Sequence, residues 1–352
     1  MSLRRGLVVG KFSPLHLGHE YLVNQALAAC DELTVLAYSQ PSFERCDAAT
    51  RERWLRLRFP RAARIVVLDD ARLAAAGHTR RIPHNDEPDD VQRAFACWLC
   101  TDVLGTTFEV VFTSEDYGRG FAASLTDWFT THVPGYAGVV EHVSVDRERA
   151  TIPVSATRIR QDPAAARRWL APEVHADYVR RACILGGEST GKSTLCVDLA
   201  TRLDTTHVDE YGRELWVARD GALRYDDMLH IGEVQCARED EAARGALGWL
   251  VCDTSPLTTL FYNHALFGRA DPLLEALAAR RYDHVFLCAP EFPFVQDGTR
   301  QDEAFRDRQH AWYLDELGRR GMPFTLLRGD REQRCAAAAA SLATAGALSG
   351  AG

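Results

Sequence analysis

No apolar run in this chain is long enough to cross a bilayer. The opening stretch, MSLRRGLVVGKF, has too short an apolar part for a secretory signal, so it is expected to belong to the fold. A basic excess is also missing. Lys and Arg number 41 against 49 Asp and Glu, a formal net charge of -8, which argues against a general nucleic-acid binder. Zinc-type cysteine spacing is missing too. Of ten cysteines only Cys97 and Cys100, in CWLC, form a C-x-x-C, and no second pair or histidine pair follows at metal-site spacing. That pair leaves a redox or zinc reading open. The others lie among apolar neighbours and read as buried, reduced thiols of a cytoplasmic protein.

What is present is an ordinary globular composition, 46% hydrophobic and 26% charged, over 352 residues. That length favours two domains over one core. Apolar runs rich in β-branched residues recur at 6–10, 32–38, 64–70 and 108–115, with helical patterns between them at 17–30, 50–58 and 89–104. Continuous apolar runs suit strands buried on both faces, and their alternation with helices predicts α/β architecture with parallel sheets. A polar stretch of helical pattern at 161–181, punctuated by Pro163 and Pro172, precedes a second alternation. Its strand candidates are 181–187, 206–210, 249–253, 284–289 and 324–329. Two α/β domains are expected, 1–171 and 172–352.

The first domain opens with GKFSPLHLGH (10–19), placed between a strand and a helix. Gly10 and Gly18 permit close backbone approach, and the free N–H groups of a helix start favour an anion. Gly10, Lys11, Phe12 and Gly18 are therefore expected to contact nucleotide. His16 and His19 can face a phosphate chain together and donate hydrogen bonds as charge develops on phosphorus. A second segment, VSATRIR (154–160), sets Ser155 and Thr157 at a helix start and Arg160 one turn in, a fit for outer phosphates.

The second domain carries GGESTGKST (186–194) after an apolar strand and before a helix, the context a P-loop requires. Gly186, Gly187, Glu188, Ser189, Thr190, Gly191 and Thr194 would form the phosphate cradle. Lys192 would reach the β- and γ-phosphates and Ser193 would hold magnesium. Asp253, closing the strand WLVCD, is the expected second magnesium contact. In small-molecule P-loop kinases, which this stretch resembles, a carboxylate at that strand end often takes the proton from the attacking hydroxyl, so Asp209, closing THVD, is the expected base. Either Asp could instead cap its turn. Arg300, in a polar stretch that also holds Arg306 and Arg308, is the candidate lid arginine.

Residues 6–160, through their two motifs, resemble the HxGH nucleotidyltransferase superfamily, which implies a Rossmann-like domain. Across nearly the whole chain, GKFSPLHLGH, SEDYG (114–118), VSATRIR, GGESTGKS, DEYGRE (209–214) and DGTR (297–300) resemble the bifunctional NadR family. That family joins nicotinamide mononucleotide adenylyltransferase to ribosylnicotinamide kinase. The resemblance implies ATP as a substrate, Mg2+ as a cofactor, and nicotinamide riboside, nicotinamide mononucleotide and NAD as ligands. It also implies Glu210, Tyr211 and Arg213 near the riboside, with Trp98, Tyr211 or Trp216 under the pyridinium. Only five residues precede the first strand, so the DNA-binding module of some members is not expected. Neither DNA nor membrane is an expected partner, and a homo-oligomer stays open. The segment DTSPLTT (253–259) departs from the family pattern. Rival readings are a phosphopantetheine adenylyltransferase with dephospho-coenzyme A kinase, and a nucleotide-sensing regulator that has lost catalysis.

Overall fold

The computed structural model describes residues 4–62, 64–298 and 300–348. Its contacts divide the chain into two compact units that meet at Val174 and His175. Among the described residues each unit is built on one parallel sheet.

The first unit runs β1 (Arg5–Gly10), α1 (Leu17–Ala29), β2 (Glu32–Tyr38), α2 (Ala48–Arg58), β3 (Arg64–Leu68), α3 (Asp70–Ala75) and α4 (Asp89–Trp98). It continues with β4 (Val110–Thr113), α5 (Gly118–His132), β5 (Glu141–Ser144) and α6 (Ala156–Gln161). The strand order is β3-β2-β1-β4-β5. The chain steps outward from β1 through β2 to β3, then returns to the other side of β1. A crevice is therefore expected at the carboxyl end of β1, where successive connections diverge. Leu7, Val111, Phe95, Phe121 and Phe129 meet in its core. Full burial of such side chains contributes roughly 1.5–3 kcal/mol each.

Segment 161–181 departs from the helical expectation. Helix α6 stops at Gln161, a single 3-10 turn covers Arg167–Trp169, α7 spans Pro172–Ala176, and strand begins at Arg180. Pro163 and Pro172 cannot supply the N–H donors a continuous helix needs. The edge strand β5, with its mostly half-exposed EHVS pattern, had no apolar run to mark it.

The second unit contains β6 (Arg180–Gly186), α8 (Lys192–Arg202), β7 (Thr206–Val208), α9 (Tyr211–Ala218), α10 (Tyr225–Ala243) and β8 (Trp249–Asp253). After these come α11 (Pro256–Phe267), α12 (Pro272–Ala278), β9 (His284–Cys288), α13 (Glu303–Arg319), β10 (Thr325–Leu327) and α14 (Arg331–Leu348). The order is β10-β9-β6-β8-β7. Both faces of β6 are covered. Ala182 and Ile184 pack with residues of α8 and α14, while Cys183 and Leu185 pack with α10, α11 and α13. That is the alternation a strand imposes, and it explains the continuous apolar run.

Candidate functional site

In the first unit a cleft of about 440 Å³ opens beside β1 and α1. Gly10, Lys11, Phe12, His16, Gly18, His19, Ser155, Thr157 and Arg160 all line it, so two segments far apart in sequence meet there. His16 caps α1: its Nδ1 accepts the backbone N–H groups of Gly18 at 3.1 Å and His19 at 3.3 Å. With Nδ1 accepting, the neutral ring carries its proton on Nε2, available to donate. A Cβ on Gly18 would stand 3.1 Å from the His16 ring, so glycine here makes room for the cap. The His16 and His19 rings stack with centroids 3.7 Å apart. Burial lowers the His16 pKa to about 4, helped by the nearby Arg149 charge. His19 is also held well below its usual range, by burial and then by His16 and Arg149.

Arg160 donates to the Ser13 carbonyl at 2.5 Å and to Thr157 Oγ1 at 3.2 Å, and its guanidinium lies 3.9 Å from the centre of the Phe43 ring. The α6 helix thereby tethers the glycine-rich turn. Ser155 caps α6 by accepting the Arg158 N–H. The loop carrying Arg149 is closed by Asp146, which accepts the N–H groups of Thr151 and Ile152 at 3.0 Å each. From SEDYG, Ser114, Glu115 and Tyr117 reach the cleft. Gly118 sits where a Cβ would fall 2.0 Å from His142 Nε2.

Two features here differ from expectation. Trp98 is not among the residues lining the cleft; it packs on Phe95 and His78 with Arg80 over its ring at 5.1 Å. Helix α4 turns that face toward the core cluster. Arg51, with no motif to announce it, is wholly buried on α2 and donates to the Lys11 carbonyl at 3.1 Å. Its Nε and second amino nitrogen have no hydrogen-bond partner.

In the second unit the P-loop wraps from β6 into α8. Gly191 has φ 79°, the left-handed region that favours glycine, and a Cβ there would meet Phe292 at 3.0 Å. Lys192 is buried and its Nζ donates to the Gly187 carbonyl at 3.0 Å, folded back across the loop. Thr190 Oγ1 donates to the same carbonyl at 2.7 Å. Ser189 anchors the segment that follows β9: its Oγ accepts from Val295 N at 3.0 Å and from Arg300 at 3.3 Å. Arg300 is also paired with Asp297 at 2.9 Å and lines a pocket beside the P-loop. Thr299 of the DGTR motif lies outside the described residues. Arg306 is buried and donates to the Phe292 carbonyl at 2.9 Å, while the exposed Arg308 lies over the Phe305 ring. Thr194 is exposed in the first turn of α8.

The pocket next to the P-loop is lined by Glu188, Lys192, Glu210, Arg213, Trp216, Tyr262 and Arg300, among others. Three of the expected residues are placed differently from the sequence reading. The proton acceptor was expected at Asp209, yet that side chain is exposed, 3.5 Å from His207, and does not line the pocket. Its neighbour Glu210 does, with Arg213 at 3.6 Å. The strand end alternates sides, so one residue of register separates the two carboxylates. Burial raises the Glu210 pKa, with Lys192 acting against the rise. Tyr211 is not among the residues that line this pocket. Its hydroxyl meets His230 at 3.2 Å and Arg238 lies 4.6 Å over its ring. Glu188, expected among the nucleotide contacts, faces this pocket instead. Tyr262, missed in the sequence, lines the pocket and donates to Glu188 Oε1 at 2.8 Å.

Asp253 ends β8 with Oδ1 buried and without a hydrogen-bond partner. Burial raises its pKa, opposed first by Lys192 and then by a hydrogen bond from Ser193. An orphaned carboxylate oxygen beside a hydroxyl fits the protein side of a magnesium site, since this ion keeps waters and phosphate oxygens as its other contacts. Among the described residues no cluster of three or more His, Cys, Asp or Glu could hold a metal ion. Cys97 and Cys100 are buried and free, and burial pushes the Cys97 thiol up to about 12 and Cys100 higher still. Thiols held protonated in this way are poor nucleophiles and poor redox centres. Among the described residues no helix is long and apolar enough to cross a membrane.

Fold and site together define an α/β protein with two parallel sheets and a P-loop kinase-like unit. A family profile described as an AAA domain matches residues 181–334. The trifunctional NAD biosynthesis/regulator protein NadR of Escherichia coli (strain K12) is 30% identical over 320 residues, covering 86% of this chain and 73% of that one. The protein of that name from Salmonella typhimurium matches at the same identity and coverage. This chain belongs to the NadR family. A crystal structure of NadR protein in complex with NR superposes with TM-score 0.70 at 19% identity, covering 97% of this chain and 96% of the other. One in complex with NAD and AMP-PNP gives 0.66 at 18% identity with the same coverage.

Proposed function

We propose that the chain makes NAD from nicotinamide riboside in two consecutive ATP-using steps, one in each unit. The observation that carries this reading is the pair of separate phosphate cradles, His16 with His19 on α1 and the P-loop on β6–α8, in a chain of the NadR family. The strand order and histidine-capped α1 support a Rossmann-like nucleotidyltransferase in residues 4–174, leaving the kinase in 175–348. Free, buried cysteines suit a cytoplasmic location.

In the kinase step the 5′-hydroxyl of the riboside attacks the γ-phosphorus of ATP and ADP leaves. Glu210 takes the hydroxyl proton; it lines the acceptor pocket, and burial there raises its proton affinity. Lys192 releases the Gly187 carbonyl to hold the phosphates, and Arg300, already on Ser189, bears on the transferred group. Ser193 and Asp253 would hold Mg2+, which neutralises phosphate charge when bound. Trp216 offers an aromatic face to the pyridinium.

In the adenylyl step a phosphate oxygen of nicotinamide mononucleotide attacks the α-phosphorus and pyrophosphate leaves. No proton need be removed from an ionised phosphate, so the protein's task is placement and charge stabilisation. The neutral histidines donate hydrogen bonds to the reacting phosphate, and Arg160 with the start of α6 takes the outer phosphates. The test is direct. Protein incubated with nicotinamide riboside and Mg-ATP is expected to accumulate nicotinamide mononucleotide and then NAD. Turnover of phosphopantetheine or dephospho-coenzyme A in place of the pyridine substrates would overturn the reading.

A further inference from the structure

A carboxylate inside a phosphate cradle is electrostatically misplaced unless it faces elsewhere. Glu188 stands between Gly187 and Ser189 of the P-loop, yet its side chain enters the acceptor pocket and is only 8% exposed. Both of its hydrogen-bond partners are neutral. Oε1 accepts from the Tyr262 hydroxyl at 2.8 Å and Oε2 from the Gln301 N–H at 2.7 Å. Among the described residues it joins no ion pair, because the pocket cations are engaged: Arg213 with Glu210, Arg300 with Asp297, and Lys192 with the Gly187 carbonyl. Burying a carboxylate without a paired cation is costly, and a positively charged ligand entering the pocket offsets that cost.

We infer that Glu188 is a specificity residue of the kinase site, selecting acceptors whose ring carries a positive charge. The inference rests on the kinase reading above. Tyr262 is the link. Its ring borders the pocket, and its hydroxyl, by donating to Glu188, leaves more electron density on the ring and so a better face for a cation. A pyridinium placed there meets the ring directly and the carboxylate just behind it. A neutral ring of the same shape gains neither attraction.

The test compares nicotinamide riboside, a cation, with its 1,4-dihydro form, whose ring is neutral, in kinase assays with Mg-ATP. Wild-type protein is expected to favour the cation in kcat/KM by roughly tenfold or more, the scale of one screened charge pair. Glu188→Gln keeps the shape and should remove most of that preference, chiefly by raising KM for the cation. Tyr262→Phe, which keeps the ring and breaks the hydrogen bond, should weaken the preference part way. Equal losses on both substrates in Glu188→Gln would overturn the inference and make Glu188 a contact to the ribose or a support of the loop. An unchanged ratio would overturn it as well. If wild-type protein phosphorylates neither riboside, the kinase reading itself falls, and the inference with it.

Discussion

His16 and His19 lie ring on ring, centroids 3.7 Å apart and planes 24° apart, at the start of α1. Two charged imidazoles could not rest in that contact, and burial with the nearby Arg149 keeps both neutral at physiological pH. His16 thus keeps an N–H free to meet arriving negative charge, while the His19 ring, stacked on it, is also held at the Pro14 carbonyl. His16 does two things at once, capping the helix with Nδ1 and presenting Nε2 to the cleft.

His16→Asn separates those roles. The Asn amide oxygen can stand near the place of Nδ1 and keep the cap, while nothing replaces Nε2. Adenylyl transfer is expected to fall by about a hundred- to a thousand-fold with helix content unchanged. The pH dependence of stability supplies a second reading. His16 has a folded pKa of about 4, below its unfolded value, so the unfolded chain takes up the proton first as pH falls. Its neutral form contributes in full above the unfolded pKa, and stability is lost as pH drops from there toward 4. Urea midpoints of the first unit should decline over that window in the wild type, and less steeply in His16→Asn.

Lys192→Ala tests whether the two chemistries are separate. The lysine belongs to the P-loop cradle of the second unit, and the histidines to the first. Riboside phosphorylation should drop by about a hundred-fold or more while adenylylation of added nicotinamide mononucleotide persists. His19→Ala should give the mirror result. Equal loss of both activities in a folded variant would mean one shared ATP site.

Glu210 and Asp209 are adjacent in sequence and differ in environment, so they make a matched pair. Glu210→Gln removes the pocket carboxylate and should slow the kinase by about a hundred-fold or more. Asp209→Asn changes an exposed side chain beside His207 and should leave most of the rate. Steady-state kcat for both variants decides it. A larger loss in Asp209→Asn would return the proton acceptor to that residue.

The contiguous devices were legible in the sequence because their chemistry is local. A strand, a glycine turn and a helix start fall within ten residues in each of GKFSPLHLGH and GGESTGKST, and the backbone does the positioning. The parallel strands were legible from unbroken apolar runs such as that of β6. Orientation was not. Whether Asp209 or Glu210 faces the pocket turns on one residue of register, and Glu188 leaves its own cradle only because Tyr262 and Gln301, far along the chain, receive it. Trp98 illustrates the same limit, since aromatic content says nothing about which side of α4 meets the core.

Arg51 gives a prediction in which stability and activity move apart. The residue is wholly buried on α2, it holds the Lys11 carbonyl with one nitrogen, and its other two guanidinium nitrogens have no hydrogen-bond partner. Burial disfavours the charged form and lowers its pKa. A buried guanidinium so poorly satisfied is a liability to the fold on its own, of the kind that persists at sites where another charge will arrive. It lies behind the turn that bears Lys11 and Phe12, outside the cleft lining, with Asp69 and Asp47 as its opposing charges, so nucleotide phosphates in the cleft would act on it across that turn. Arg51→Met keeps most of the volume and removes the cation. Without ligand the variant should unfold at an equal or higher urea concentration than the wild type. Its affinity for ATP in the first unit should fall by roughly tenfold, with a larger penalty at low salt, where charge pairing is least screened. Calorimetric titration of ATP into a Lys192→Ala background isolates the first site. Unfolding at markedly lower urea, with ATP affinity intact, would instead make Arg51 a plain structural support of the turn.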